Sequence, residues 1–277
     1  MRHIILHGHI FKNAGTTLDW ALQRNFGDGF LDHRDDNAML SDGRSHLQQL
    51  VQGNPRLCAI SSHHMTRDLP PLPGVTFLPV SLLRHPIARM RSVYDFERQQ
   101  QASTPGAVAA KSNDFKAYVA WRMQPEVRRT LRNYQTLHLA GQHELASDEA
   151  ISLQHFADAL GNVSAVSLIG VVERYDESMV VFEELLGRHF PHVDLSYIPQ
   201  NVGVAGGKTG REYSATLVAG ILDELGDLQK KVIDENSFDL ALYQAALQRL
   251  QSMIAAIDAF PEKLQDFRQR CLLQQAG

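Results

Sequence analysis

The chain has 277 residues, 44% of them apolar and 21% charged, which suits a soluble globular protein of one large domain or two small ones at ~150 residues each. A net charge of −4 provides no overall basic field and so argues against a nucleic-acid or anionic-membrane partner, while leaving room for a local basic site. Two cysteines, Cys58 and Cys271, supply neither a disulfide framework nor a CxxC metal site, and read as a buried strand thiol and a free thiol near the end of the chain. The opening "MRHIILHGHI" is interrupted too early by His7 and His9 for a secretory segment, and no apolar run approaches the ~20 residues of a membrane helix. The expectation is a reduced, cytoplasmic protein with no membrane span.

In chain order, "HIILHGHI" (3–10) is strand-like and runs into a helical pattern from about Thr16 to Asn25. The polar "DHRDDN" (32–37), with Asp35 and Asp36, reads as a solvated turn. "LCAISS" (57–62) and "VTFLPVSLL" (75–83) are further apolar runs, Pro79 implying that regular pairing of the second is confined to one side. Pro86 suits the first turn of a helix reaching about Gln101, and "QQASTPGAVAAKSND" (100–114) reads as a mobile surface segment. A helical stretch around 152–160 precedes a fourth run, "AVSLIGVV" (165–172). Near-continuous apolar strands alternating with helices predict an α/β fold, a parallel sheet covered on both faces. From about Ser214 the pattern is helical throughout. Leu217, Val218, Ile221, Leu222, Leu225 and Leu228, then Leu240, Tyr243 and Leu247, follow helix spacing as core positions. No linker divides residues 1–277, so the reading is one domain, with a core to about 213 and C-terminal helices over about 214–275.

The strand-to-helix junction "KNAGTT" (12–17) has the outline of an anion-binding loop. A helix N-terminus presents unpaired N–H groups and partial positive charge. Gly15 permits a tight turn or close approach, Thr16 and Thr17 add hydroxyls, and Lys12 adds a full charge. An ordinary turn with a capping threonine explains this segment equally well. The GxxxxGK[ST] order of ATP- and GTP-binding loops is absent, and "GGKTG" (206–210) does not supply it, since its first glycine would fall at Val202. In "LLRHPIARMRSVYDFERQ" (82–99), Arg84 stands where a buried strand ends and Ser92 follows on the next helix. Ligands of α/β sheets sit beyond the strands' carboxyl ends, so Arg84 could grip a phosphate as a fork with Ser92 beside it. A loop cap and a solvated serine are the plainer alternatives.

Together these segments resemble the sulfotransferases that use 3′-phosphoadenosine 5′-phosphosulfate (PAPS), in the branch that contains the carbohydrate and heparan sulfate 2-O-sulfotransferases. "FKNAGTTL" is similar to their 5′-phosphosulfate loop, and "LRHPIARMRSVY" to their 3′-phosphate motif. "NYQTLHLAG" (133–141), "IGVVERYDES" (169–178) and "FDLALYQAA" (238–246) extend the resemblance in order along the chain. Three positions depart from the pattern. His85 replaces the usual aspartate, Leu137 stands where arginine is common, and Asn13 replaces a threonine.

The resemblance implies a phosphate-loop type of sheet and sulfuryl transfer from PAPS to an acceptor hydroxyl or amine, with no metal expected. The acceptor it implies is a carbohydrate or glycolipid; a small metabolite fits the residues equally well. On that reading the backbone of Asn13, Ala14, Gly15, Thr16 and Thr17 holds the 5′-phosphosulfate, and Lys12 neutralises charge on the departing oxygen. Arg84 and Ser92 bind the 3′-phosphate. In this branch a comparable strand ends in a histidine that acts as base. The match puts that role on His64 in "AISSHHM" (59–65), with His63 as the alternative. Lys208, Thr209 and Arg211 in the glycine-rich "NVGVAGGKTGREY" (201–213) are secondary candidates for a loop closing over the nucleotide; an exposed linker is the plain reading. His7 and His9 share a strand face and could offer two metal ligands, but no third declares itself, and polar lining beneath the loop accounts for them. Two rival functions fit a phosphate loop: an ATP-dependent small-molecule kinase, and a nucleotide-binding protein without chemistry. Oligomeric state is not legible.

Overall fold

The structure, a computed structural model, describes residues 1–143, 145–165, 168–200 and 211–276. It is an α/β fold around a five-stranded, all-parallel sheet flanked by helices. The strands are β1 (Arg2–Gly8), β2 (Phe30–His33), β3 (Ala59–Ser62), β4 (Val75–Leu83) and β5 (Leu168–Val171), in the order β2-β3-β1-β4-β5. The helices are α1 (Gly15–Phe26), α2 (Asp36–Gly53), α3 (Pro86–Gln99), α4 (Pro105–Ser112), α5 (Phe115–Arg122), α6 (Tyr134–Ala140), α7 (Leu153–Ala165) and α8 (Tyr175–Leu186). The C-terminal set is α9 (Arg211–Leu225), α10 (Gln229–Asp234), α11 (Ser237–Ala255) and α12 (Phe260–Ala276). Among the described residues no helix is long and apolar enough to cross a membrane.

The period-two geometry of a strand explains why β1 reads as almost continuously apolar. Ile5 enters one buried cluster, shared with α1, α8 and α11, while Ile4 and Leu6 enter another on the opposite face with Leu47 and Val51 of α2. A third cluster joins α3, α4, α5 and α9, where Ile221 and Leu225 are buried as their spacing predicts. Pro79 lies within the β1 ladder, opposite Leu6, whereas pairing with β5 begins only at Val80.

Four local expectations are corrected. Part of the "DHRDDN" turn is strand, the end of β2, and Asp35 caps α2 by accepting from the Ala38 N–H at 3.2 Å. Residues 105–112 form α4, with Thr104 as N-cap, Pro105 in the first turn, and Ala107 and Ala110 fully buried. Cys58 is half-buried and outside the strands, and Cys271 is the buried thiol, inside α12.

The strand order also locates the site. The chain leaves β1 toward β2 on one side and leaves β4 toward β5 on the other, so β1 and β4 are neighbours whose crossovers diverge. That is the switch point at which α/β sheets open a crevice beyond their carboxyl ends.

Candidate functional site

Residues 9–14 turn from β1 into α1 with two left-handed residues, Lys12 (φ 64°) and Ala14 (φ 58°). Non-glycine residues keep such conformations only where surroundings hold them. Asn13 is the holder. It is 1% exposed, and its Nδ2 donates to the Leu82 carbonyl and to Gln135 Oε1, each at 2.7 Å. The positive φ falls beside Gly15 rather than on it; Gly15 is small because a Cβ there would stand 2.3 Å from the His9 ring.

The amides of Asn13 and Thr17 already donate, to Ile10 (3.2 Å) and Ala14 (3.1 Å) carbonyls. The first turn of α1 therefore offers the N–H groups of Gly15 and Thr16, which by position have no intrahelical acceptor. Thr16 is exposed, and the buried Thr17 hydroxyl accepts from the Gln200 N–H at 3.2 Å.

Arg84 follows β4 directly, and its Nη1 donates to the Lys12 carbonyl at 3.2 Å. Gln135 clamps it from α6, accepting from the Arg84 N–H and donating to the Arg84 carbonyl, both at 2.9 Å. The Lys12 ammonium rests 4.3 Å from the centre of the Phe96 ring. Burial, then the Arg84 charge, lowers it to about 8, with Asp95 opposing. Ser92, half-buried, lies one turn before Phe96 on α3, on the face that meets Lys12. His85 takes over the helix-capping work open to an aspartate: its Nδ1 accepts from the Ile87 N–H at 3.3 Å. Burial lowers His85 to about 4, so it caps as a neutral ring.

The two histidines after β3 diverge. His63 is used on both nitrogens: Nδ1 donates to the His9 carbonyl at 3.0 Å and Nε2 accepts from Arg34 Nη1 at 2.6 Å. His64 instead lines a cavity of about 380 Å³ with Tyr134, Leu137, His138, His143 and Arg128, and its Nε2 lies 3.8 Å from Asp36 Oδ2. Leu137 thus contributes an apolar wall. Burial holds His138 well below the ordinary histidine range and His143 near 3, so both present neutral rings. Lys208 and Thr209 lie outside the described residues, as does the side chain of Arg211, the first residue of α9.

Several residues of this site were not singled out from the sequence. Asp239 of α11 accepts from the N–H groups of Gln135 (3.1 Å) and Thr136 (2.7 Å), fixing the helix that carries Gln135. Glu173 accepts from the His85 N–H at 3.0 Å and from the Tyr243 hydroxyl at 3.1 Å. Three stretches, 133–141, 169–178 and 238–246, therefore converge behind the loop. Asp19 was missed too: it accepts from His7 Nδ1 (2.7 Å) and His9 Nδ1 (2.8 Å). Burial pushes the Asp19 carboxyl up, but the two histidines more than offset this and hold it well below its usual range. Its ligand atom and theirs lie within 4.8 Å of one another, the donor chemistry of a divalent-cation site. Arg34 already places a positive charge 3.6 Å from the same carboxylate, and the trio ties β1 to α1 beneath the loop as it stands.

No family model matches the chain. A protein of Archaeoglobus fulgidus, described as uncharacterized, is 30% identical to it over 249 residues, which make up 88% of this chain and 95% of the archaeal one. The chain belongs to that protein's family. Near-full coverage of both members means the family shares the whole α/β unit rather than the loop alone.

Proposed function

We propose that the chain is a sulfotransferase that moves a sulfuryl group from PAPS to an acceptor hydroxyl. The observation that supports this reading is the bond from Arg84 to the Lys12 carbonyl, which joins the two segments at the sheet's switch point. The Gly15 and Thr16 amides and Lys12 suit the 5′-phosphosulfate, Arg84 and Ser92 the 3′-phosphate. Lys12 opposes charge on the bridging oxygen as the S–O bond breaks. His64, facing the cavity, takes the acceptor proton, a role supported by the double engagement of His63. A hydroxyl on a carbohydrate or glycolipid is the acceptor class the resemblance implies. The kinase reading is weakened by the same geometry, since the loop lysine precedes the glycine and lies on Phe96.

Thermal unfolding tests the proposal. Ligand at ~100 times its dissociation constant adds ~2.7 kcal/mol. Adenosine 3′,5′-bisphosphate should stabilise the protein without magnesium, and ATP with magnesium should do so weakly or not at all. The opposite ranking favours a kinase. Bisphosphate binding with no sulfate transfer to any acceptor favours a nucleotide-binding protein without chemistry.

A further inference from the structure

Most arginines turned into this fold make short bonds within it. Arg89 donates to the Phe11 (2.9 Å) and Thr130 (2.8 Å) carbonyls, Arg122 holds Glu97 at 2.6 Å, and Arg132 donates to the Val127 carbonyl at 2.7 Å. Arg67 differs. Its hydrogen bond within the described residues is a long one, Nη2 to His138 Nδ1 at 3.5 Å; its Nε, like Arg89 Nη2 and Arg132 Nε, is sealed from solvent without an acceptor. Burial lowers its guanidinium to about 10, with no acid among the described residues beside it to offset the effect.

The chain makes room for this group. A Cβ on Gly8, the last residue of β1, would stand 3.0 Å from Arg67 Nη2 and 3.0 Å from Ser81 Oγ. Ser81 is fully buried, and its hydroxyl also lacks a partner. The guanidinium and the buried hydroxyl thus both approach the end of β1, where the loop of residues 9–14 begins. His138, which accepts from the same Nη2, lines the cavity that His64 faces. Keeping a half-buried cation without a counter-charge among the described residues is unfavourable, and a tetrahedral oxyanion matches the arginine fork.

We infer that Arg67 forms an oxyanion site beside the His64 cavity, taking a sulfate- or phosphate-type group. Identifying that anion as the transferred sulfuryl group rests on the sulfotransferase reading; the existence of the site does not. An anionic substituent on the acceptor is the other source of the same chemistry.

Sodium sulfate, titrated calorimetrically into the whole protein against chloride at matched ionic strength, tests the site with and without saturating adenosine 3′,5′-bisphosphate. Wild type should bind sulfate in both conditions. Arg67→Met should weaken sulfate binding about tenfold or more and leave bisphosphate affinity within about twofold. Arg67→Lys, which keeps the charge but not the fork, should fall between and decides the matter if the Met variant does not fold. Unchanged sulfate binding in the Met variant, or in the Lys variant where the Met variant does not fold, overturns the site, as does displacement of sulfate by the bisphosphate. Arg67-dependent sulfate binding with no bisphosphate binding in wild type sustains the site and sinks the sulfotransferase reading. Turnover then separates the sources. A fall in kcat with both neutral and anionic acceptors assigns Arg67 to the sulfuryl group, and a rise in KM confined to the anionic acceptor assigns it to the acceptor.

Discussion

Arg84 donates from Nη1 to the backbone carbonyl of Lys12 at 3.2 Å, so the strand-end arginine and the loop lysine are parts of one cationic surface. Removing each should have a different signature. On the proposed function, Arg84→Ala takes away a charge-assisted grip on the nucleotide and should raise the dissociation constant for adenosine 3′,5′-bisphosphate about 10- to 100-fold. Lys12→Ala removes charge stabilisation at the breaking bond and should lower kcat about 10²- to 10³-fold, with a smaller change in affinity. Calorimetry and sulfate-transfer rates check the pair; equal effects on binding alone would remove Lys12 from the chemical step.

His64 and His63 should part company in kinetics. His64→Ala should lower turnover about 10²- to 10⁴-fold with bisphosphate affinity kept, as expected for a lost general base. His63→Ala gives up contacts to His9 and Arg34 and should act mainly on stability. Full turnover in the His64 variant would take it out of the mechanism.

On the proposed function, the lowered Lys12 should make nucleotide binding pH-dependent. Below about pH 8 Lys12 is charged with or without ligand and affinity should be flat. Above it, the ligand-free protein has lost the proton and an anionic ligand must recover it, so the dissociation constant should rise by up to about tenfold per pH unit. Lys12→Met should abolish that slope. Without ligand, the same group adds stability as pH climbs from about 8 towards 10.5, because the unfolded chain holds its proton longer.

His85 works in the acid range. Burial keeps it neutral in the fold down to about 4, whereas the unfolded chain protonates it from 6.5. Between those values the unfolded state binds more protons, so stability falls as pH drops from 6.5 to 4. His85→Asn keeps a capping acceptor without the titration, and its Tm should fall less than wild type over that window. Parallel Tm curves for the two proteins would contradict this.

The sheet and the loop were legible because both are local: apolar runs between turn signals, and a motif read within a few residues. What escaped notice has identifiable physical causes. In α2 a kink at Asp42 (φ −143°, ψ 31°) breaks the helical period of its buried residues Met39, Leu47 and Val51. In α4 the buried face is built from Ala107 and Ala110, too small to raise a hydropathy signal, and Gly106 lies against Arg122 and Glu97. The supports of the loop were hidden for another reason. Gln135, Glu173 and Asp239 acquire their roles from partners distant in sequence, and no local pattern distinguishes them from ordinary polar helix residues.

Asp239 also bears on the order in which the molecule is built. It fixes the start of α6, α6 carries Gln135, and Gln135 holds both Asn13 and Arg84. The loop of residues 12–17 is synthesised well before α11, which carries its last brace. A nascent chain halted before α11 would display the loop without the Asp239 contacts that fix α6, so the loop's native shape should be completed only once α11 is made.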